Sequence, residues 1–284
     1  MKTILELLNA NPKHRVGNGF TVRTLFSYQL QEQRISPFLL LNHAAPTIFK
    51  PTTARRGVGL HPHRGFETVT LVYQGEVAHH DSLGQGGIIG PGDVQWMTAG
   101  AGILHEEYHS EQFAKAGGEL HMVQLWVNLP ARAKFTTARY QAITAEQIPQ
   151  LELPDQVGRL RVIAGEYAGQ QGPAKTHSPL QLLDMSLEPQ AEFELGLVVN
   201  WPAMLVVLQG TLLVNQQSVV REGQTVLLSA QGDSVQLETN NHTHLLVLSG
   251  EPLQEPIMGY GPFVMNTEQQ IEQALTDLQH HRLV

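Results

Sequence analysis

The sequence predicts an all-β protein, two antiparallel and jelly-roll-like β barrels followed by a short C-terminal helix. Short apolar runs of strand length recur along the whole chain, Gly and Pro punctuate them, and helical periodicity is scarce until the C-terminus. Within 284 residues this leaves room for two ordinary domains, each able to bury a core.

In order, the runs are FTVRTLFSY, TVTLVYQGEVAHH, GDVQWM and HMVQLWVNL, then LRVIAGEY, LQLLDMSL, AMLVVLQGTLLV, QTVLLSA and HLLVLSG. Several alternate apolar and polar residues or stay apolar throughout, with turn residues at their ends. At the C-terminus Ile271, Ala274, Leu275 and Leu278 fall on one helical face behind Asn266-Thr267. Thr267 and Gln270 have capping-box spacing, which predicts a helix over about 267–279.

An internal echo sets the number of barrels. Leu71-Val72-Tyr73-Gln74-Gly75 is followed by Pro91-Gly92-Asp93-Val94, and Val206-Val207-Leu208-Gln209-Gly210 by Glu222-Gly223-Gln224-Thr225-Val226. Each reads as a strand, a glycine turn, a returning strand and a second glycine turn. Polar and Pro residues from Glu146 to Pro154 then place a boundary, giving an N-terminal domain at 1–150 and a C-terminal domain at 151–284. The chemistry is not duplicated. Of 14 histidines, those at 14, 43, 61, 63, 79, 80, 105, 109 and 121 precede residue 150, and PQAEFELGLVVNWP in the second half has none.

Composition narrows the function. A formal charge of −8, from 18 basic and 26 acidic side chains, argues against direct nucleic-acid binding, and the densest basic spot is only Arg55-Arg56. No cysteine is present, so disulfides, iron–sulfur clusters and thiol nucleophiles are excluded. A bound metal must take imidazole or oxygen ligands. The start MKTILELLNANPKH does not read as a secretory signal, and no apolar run has membrane-spanning length, so a cytoplasmic protein without membrane contact is the expectation.

The candidate site lies in the first half. His61-Pro62-His63 places two imidazoles two apart, on one face of a strand. Glu67 shares their parity if no bulge intervenes. His105-Glu106-Glu107 repeats the arrangement, with His105 and Glu107 on one face. Glycines at 92, 100 and 102 let the chain double back between the clusters. Two neighbouring strands would then supply three imidazoles and a carboxylate, Glu67 or Glu107, to one ion with an open coordination position.

The stretch GLHPHRGFETVTLVYQGEVAHHDSLGQGGIIGPGDVQWMTAGAGILHEE, residues 59–107, resembles the pirin signature of the cupin superfamily. VGNGFTVRTLFS and SPFLLLNH before it, QLWVNLP after it and EPIMGYGPFVMNT near the end extend the likeness over nearly the whole chain. The resemblance implies a bicupin with metal in its N-terminal barrel only. The ion would be divalent, usually Fe(II), with Mn, Ni, Cu, Zn or Co as alternatives. The ligands it implies are His61, His63, His105 and Glu107, with Glu67 left as a partner or alternative ligand. Tyr108-His109 departs from the Met-Pro common in the family.

The resemblance also implies a function. Bacterial pirins resemble quercetin 2,3-dioxygenases, which implies a flavonol-like phenol and O2 as substrates, with Glu107 as ligand and catalytic base. Eukaryotic pirins imply an alternative, a metal- or redox-responsive regulator that binds a protein partner such as a transcription factor or metabolic enzyme.

Other residues have plainer readings. His79 and His80 are adjacent, so at most one faces the interior. His280-His281 belongs to a solvated helix end, Gly84 to Gly87 to a hairpin turn, and Trp96 and Trp126 to the core. His121 and Met122 open an apolar strand, and Gln124 is the polar residue in that run.

Overall fold

The computed structural model describes residues 1–283. Antiparallel pairing dominates its sheets, and it divides into two compact units, each with a seven-stranded and a four-stranded sheet.

The first unit comprises residues 1–11, 25–37 and 146–253. Its larger sheet runs Ile4–Asn9, Gln224–Leu228, Ala203–Gln209, Thr243–Gly250, Leu180–Leu187, Gly158–Ala164 and Gln150–Glu152. The smaller runs Glu192–Gly196, Ser234–Thr239, Thr211–Val214 and Ser218–Arg221. Alternation selects the buried face: Leu160 and Val162 point inward, as do Leu183 and Met185, against Leu212 and Val235 of the other sheet.

The second unit comprises residues 12–24, 38–145 and the chain from 254. Its larger sheet runs Arg139–Ile143, Val94–Thr98, Phe66–Gln74, Gly118–Asn128, Phe38–Phe49, Phe20–Ser27 and His14–Val16. The smaller runs Gly57–His63, Ile103–His109, Val77–Asp81 and Gly86–Ile89. Phe20, Val22, Val72 and Met122 from the larger sheet share a core with Val77 and Ile89 from the smaller.

The echo has a backbone counterpart. Gly75 and Gly210 have φ of +80° and +83°, and Gly92 and Gly223 of +87° and +79°, where any other residue is strained. Gly92 N–H donates to the Val72 carbonyl at 2.8 Å, and Gly223 N–H to the Val207 carbonyl at 2.9 Å. The same turn thus closes the corresponding hairpin of both units.

One passage between units falls at 145/146, but a single cut at 150 does not describe the ends. Ile4–Asn9 pairs with Gln224–Leu228, so an N-terminal strand completes the edge of the unit built mainly from the second half. The C-terminal segment packs with the unit built from the first half. There Phe263 and Met265 cluster with Ile271, Ala274 and Leu283. The helix spans Glu268–Gln279, and its capping box forms as spaced: Gln270 N–H donates to Thr267 Oγ1, and Thr267 N–H to Gln270 Oε1.

Among the described residues, no helix is long and apolar enough to cross a membrane.

Candidate metal centre

The strand Gly57–His63 pairs antiparallel with Ile103–His109, setting His105 opposite His61 and Ile103 opposite His63. His61 and His63 share a face two residues apart, so three rings meet. Their centroids are 4.2 Å (His61–His105), 4.8 Å (His63–His105) and 4.9 Å (His61–His63) apart. One ring nitrogen from each lies within 4.8 Å of the others. His63 and His105 are buried and His61 is half-buried, so the cluster opens on the His61 side.

Just past His105 the register slips: Glu107 faces Val58, leaving an extra residue in the 57–63 strand. The slack falls at Gly59 and Leu60, and Gly59 turns its carbonyl to His61 Nδ1 at 2.8 Å. A carbonyl only accepts, so His61 carries its proton on Nδ1 and keeps the Nε2 lone pair.

Burial acts on the other two rings. It pushes the His63 pKa down to about 3, helped by neighbouring His61 and opposed by the Pro262 carbonyl. His105 is held well below the usual imidazole range, by burial first and then by His63, His61 and His79. Both rings are neutral across the physiological range, as metal ligands must be. His63 Nδ1 and His105 Nε2 are buried without a hydrogen-bond partner. Neutral, convergent imidazoles with orphaned nitrogens fit a divalent cation.

The carboxylates separate clearly. Glu107 is 4% exposed and belongs, with His79 and His105, to a second trio whose ligand atoms lie within 4.8 Å. Gln124 donates Nε2 to both its oxygens, at 2.8 and 3.1 Å. Glu67 belongs to neither group. It accepts from Thr98 Oγ1 at 2.7 Å, and its pKa is pushed up to about 7 by burial, against Thr98, Trp96 and Arg139. Parity fails at Glu67 because Gly65, at φ +88°, turns the chain, and a new strand begins at Phe66.

Several neighbours were not legible in advance. His79, in a pair expected at best to send one ring inward, faces the interior, with Nδ1 3.3 Å from His105 Nδ1; His80 is exposed. Strand pairing holds the signal, since His79 lies opposite Glu107 and Asp81 opposite His105. Trp96 is core, as expected, but half-buried Trp126 stands edge-on to His63 at 5.6 Å. It shares a strand face with Gln124, which does reach inward. Met122 lies on the same face, beside Glu107, whereas His121 turns to His43 at 3.0 Å.

The Tyr108-His109 departure does not touch the cluster. His109 packs edge-on among Phe20, Phe49 and Phe113 and donates Nε2–H to the Gly19 carbonyl at 2.9 Å. Tyr108 lies outside, under the Arg55 guanidinium at 3.7 Å, lining a surface cavity of about 490 Å³. The interior space beside Glu107 is only about 20 Å³, room for one water-sized molecule.

Known proteins share this architecture. Residues 19–127 match the pirin family model and residues 182–284 that of the pirin C-terminal cupin domain. A Pseudomonas aeruginosa protein provisionally named quercetin 2,3-dioxygenase is 56% identical, over 100% of this chain and 99% of its own. Human pirin is 39% identical over 78% of this chain and 75% of its own. The crystal structure of a quercetin 2,3-dioxygenase from Acinetobacter baumannii superposes with TM-score 0.98 at 50% identity, covering 100% of this chain and 98% of that one. The bacterial pirin YhhW of Escherichia coli, solved with nickel(II), shares the fold at TM-score 0.65 and 21% identity, over 87% of this chain and 99% of that one.

Proposed function

The chain belongs to the pirin family, and from that premise we propose that it is a metal-dependent dioxygenase opening the heterocycle of a flavonol such as quercetin. The observation that carries this reading is the convergence of three imidazoles, two of them buried and held neutral, beside a buried carboxylate. His61, His63 and His105 would hold a divalent ion, Fe(II) first, with Glu107 as fourth ligand. Glu107 sits on the same strand as His105 and in a trio with it, which favours it over Glu67. When bound, the ion supplies Lewis acidity toward a phenolic oxygen and a redox partner for O2.

The chain's own groups do the rest. The Gly59 carbonyl orients His61, and Gln124 fixes Glu107 through both oxygens. Glu107 takes the proton of the flavonol 3-hydroxyl onto a carboxylate oxygen, leaving an electron-rich enolate to react with O2. Both oxygen atoms enter the organic product, a carboxylate ester, and one ring carbon leaves as carbon monoxide. A small-molecule pocket usually needs about 300 Å³ or more. The 20 Å³ beside Glu107 falls far short, so the flavonol approaches from the half-exposed His61 side.

Aerobic incubation of metal-loaded protein with quercetin tests this, following flavonol absorbance and carbon monoxide. Metal-dependent loss of quercetin with release of CO is expected, and loss no faster than with the free ion defeats the reading. Glu107→Gln should lower kcat by roughly 10²–10⁴ at matched metal content; full activity would remove Glu107 as the base.

A further inference from the structure

Only an imidazole nitrogen without a proton can bind a cation, so His105 must present a definite tautomer. Its Nε2 has no hydrogen-bond partner, and its Nδ1 lies 3.3 Å from Nδ1 of His79. Two lone pairs facing at that distance repel, so one Nδ1 carries a proton.

The surroundings of His79 decide which. Its Nε2 faces Asp81 Oδ2 at 3.5 Å, close enough for charge attraction but without hydrogen-bond geometry, and the Gln95 side-chain nitrogen lies 3.1 Å from its Nδ1. A carboxylate so near favours an N–H over a lone pair on the facing nitrogen, which puts the His79 proton on Nε2 and leaves Nδ1 as a lone pair. That lone pair takes hydrogens from the Gln95 amide and from His105 Nδ1. The reverse arrangement, with the Gln95 oxygen toward a protonated His79 Nδ1, would point a His79 lone pair at the carboxylate.

Both side chains are fixed in place. Asp81 Oδ1 accepts from Leu83 N–H at 2.9 Å and Gln85 N–H at 3.0 Å, which ties the carboxylate to its turn. The His79 and Asp81 side chains are fully buried. The His79 ring stacks on Tyr140 at 4.9 Å and 18°.

We propose that His79 is a positioning residue for the metal centre: Asp81 and Gln95 fix its tautomer, and His79 fixes His105 with the proton on Nδ1 and the Nε2 lone pair toward the ion. This rests on the reading of His61, His63 and His105 as metal ligands.

The test uses the full chain, stripped of metal and titrated with Co(II). His79→Phe keeps a ring against Tyr140 without nitrogens, Asp81→Asn keeps the turn acceptor without the carboxylate, and His80→Ala is an exposed control. Co(II) affinity should fall about 10–100-fold in His79→Phe, with an altered ligand-field spectrum, and in the same direction but less in Asp81→Asn. His80→Ala should match the wild type. Nitrogen-15 NMR of the metal-free wild type should find the His105 proton on Nδ1, and His79→Phe should mix the tautomers. Wild-type affinity and spectrum in His79→Phe, or an Nε2–H tautomer of His105 in the wild type, overturns the proposal. So does loss of one coordinated imidazole in His79→Phe, which would make His79 a ligand. If the wild type binds no Co(II), the metal reading fails, while the NMR arm still decides the tautomer. If His79→Phe does not fold, Asp81→Asn carries both readouts.

Discussion

At Asp184 the competition between burial and pairing can be followed in a single side chain. Burial opposes ionisation, but His244 and Arg161 outweigh it and bring the pKa down to about 2. A lowered carboxylate pKa contributes stability above the unfolded value, near 3.8, and loses it as pH falls through the folded value. Asp184→Asn should therefore destabilise the protein by about 2 kcal/mol at neutral pH. In denaturant titrations its deficit should shrink below pH 4 and be nearly gone by pH 2; a deficit constant with pH would mean lost packing instead. The histidines of the candidate site follow another logic, since burial rather than an opposite charge holds His63 and His105 neutral. That difference explains what was readable. H-x-H and H-x-E announce themselves by spacing on one strand, whereas His79 acquires its meaning only from the strand opposite it.

At the level of elements, the loop after His63 shows how the Gly57–His63 strand is held. Arg64 is 4% exposed and donates Nη1–H to Asp277 of the C-terminal helix at 2.8 Å. The Arg64 and Val264 backbones bond at 3.1 Å, and Lys134 Nζ donates to the Gly65 and Val264 carbonyls and to Asn128 Oδ1. A Cβ on Gly65 would sit 2.1 Å from the Val264 oxygen. Gly65→Ala should lower both the melting temperature and metal affinity, because the Phe263–Met265 segment must lift off the His63 loop. Lys134→Met leaves its acceptors buried and unpaired, at a cost of roughly 3 kcal/mol, seen as a melting point several degrees lower. The same turn shows where strand reasoning stopped. Alternation carries from His61 to His63, and Gly65 resets it before Glu67. Repetition was easier to read than parity, because the paired glycines of the two hairpins need positive φ and the sequence displays them directly.

At the level of the whole molecule, a ligand that binds only the folded chain stabilises it, by about 2.7 kcal/mol at a hundred times its Kd. Divalent metal should therefore raise the melting temperature of the wild type and leave His61→Ala/His63→Ala unmoved; an equal rise in both would place the metal elsewhere. The two-barrel architecture was legible because each barrel repeats short strands and turns. The placement of the ends was not, since neither Ile4–Asn9 nor the C-terminal helix carries any local sign of its distant partner. Those placements bear on synthesis. Lys2 bonds to a carbonyl 228 positions on, and Arg64 pairs with Asp277, 213 positions away. On the ribosome the histidine-bearing segments are finished long before the Val264 and Asp277 segment that braces them, and Ile4–Asn9 waits for Gln224–Leu228 before it finds an edge. Such late closures make folding slow. They also mean that the loop beside the candidate cluster gains its brace only once residues 213 positions further along have been made, so the cluster settles well after the segment that carries it.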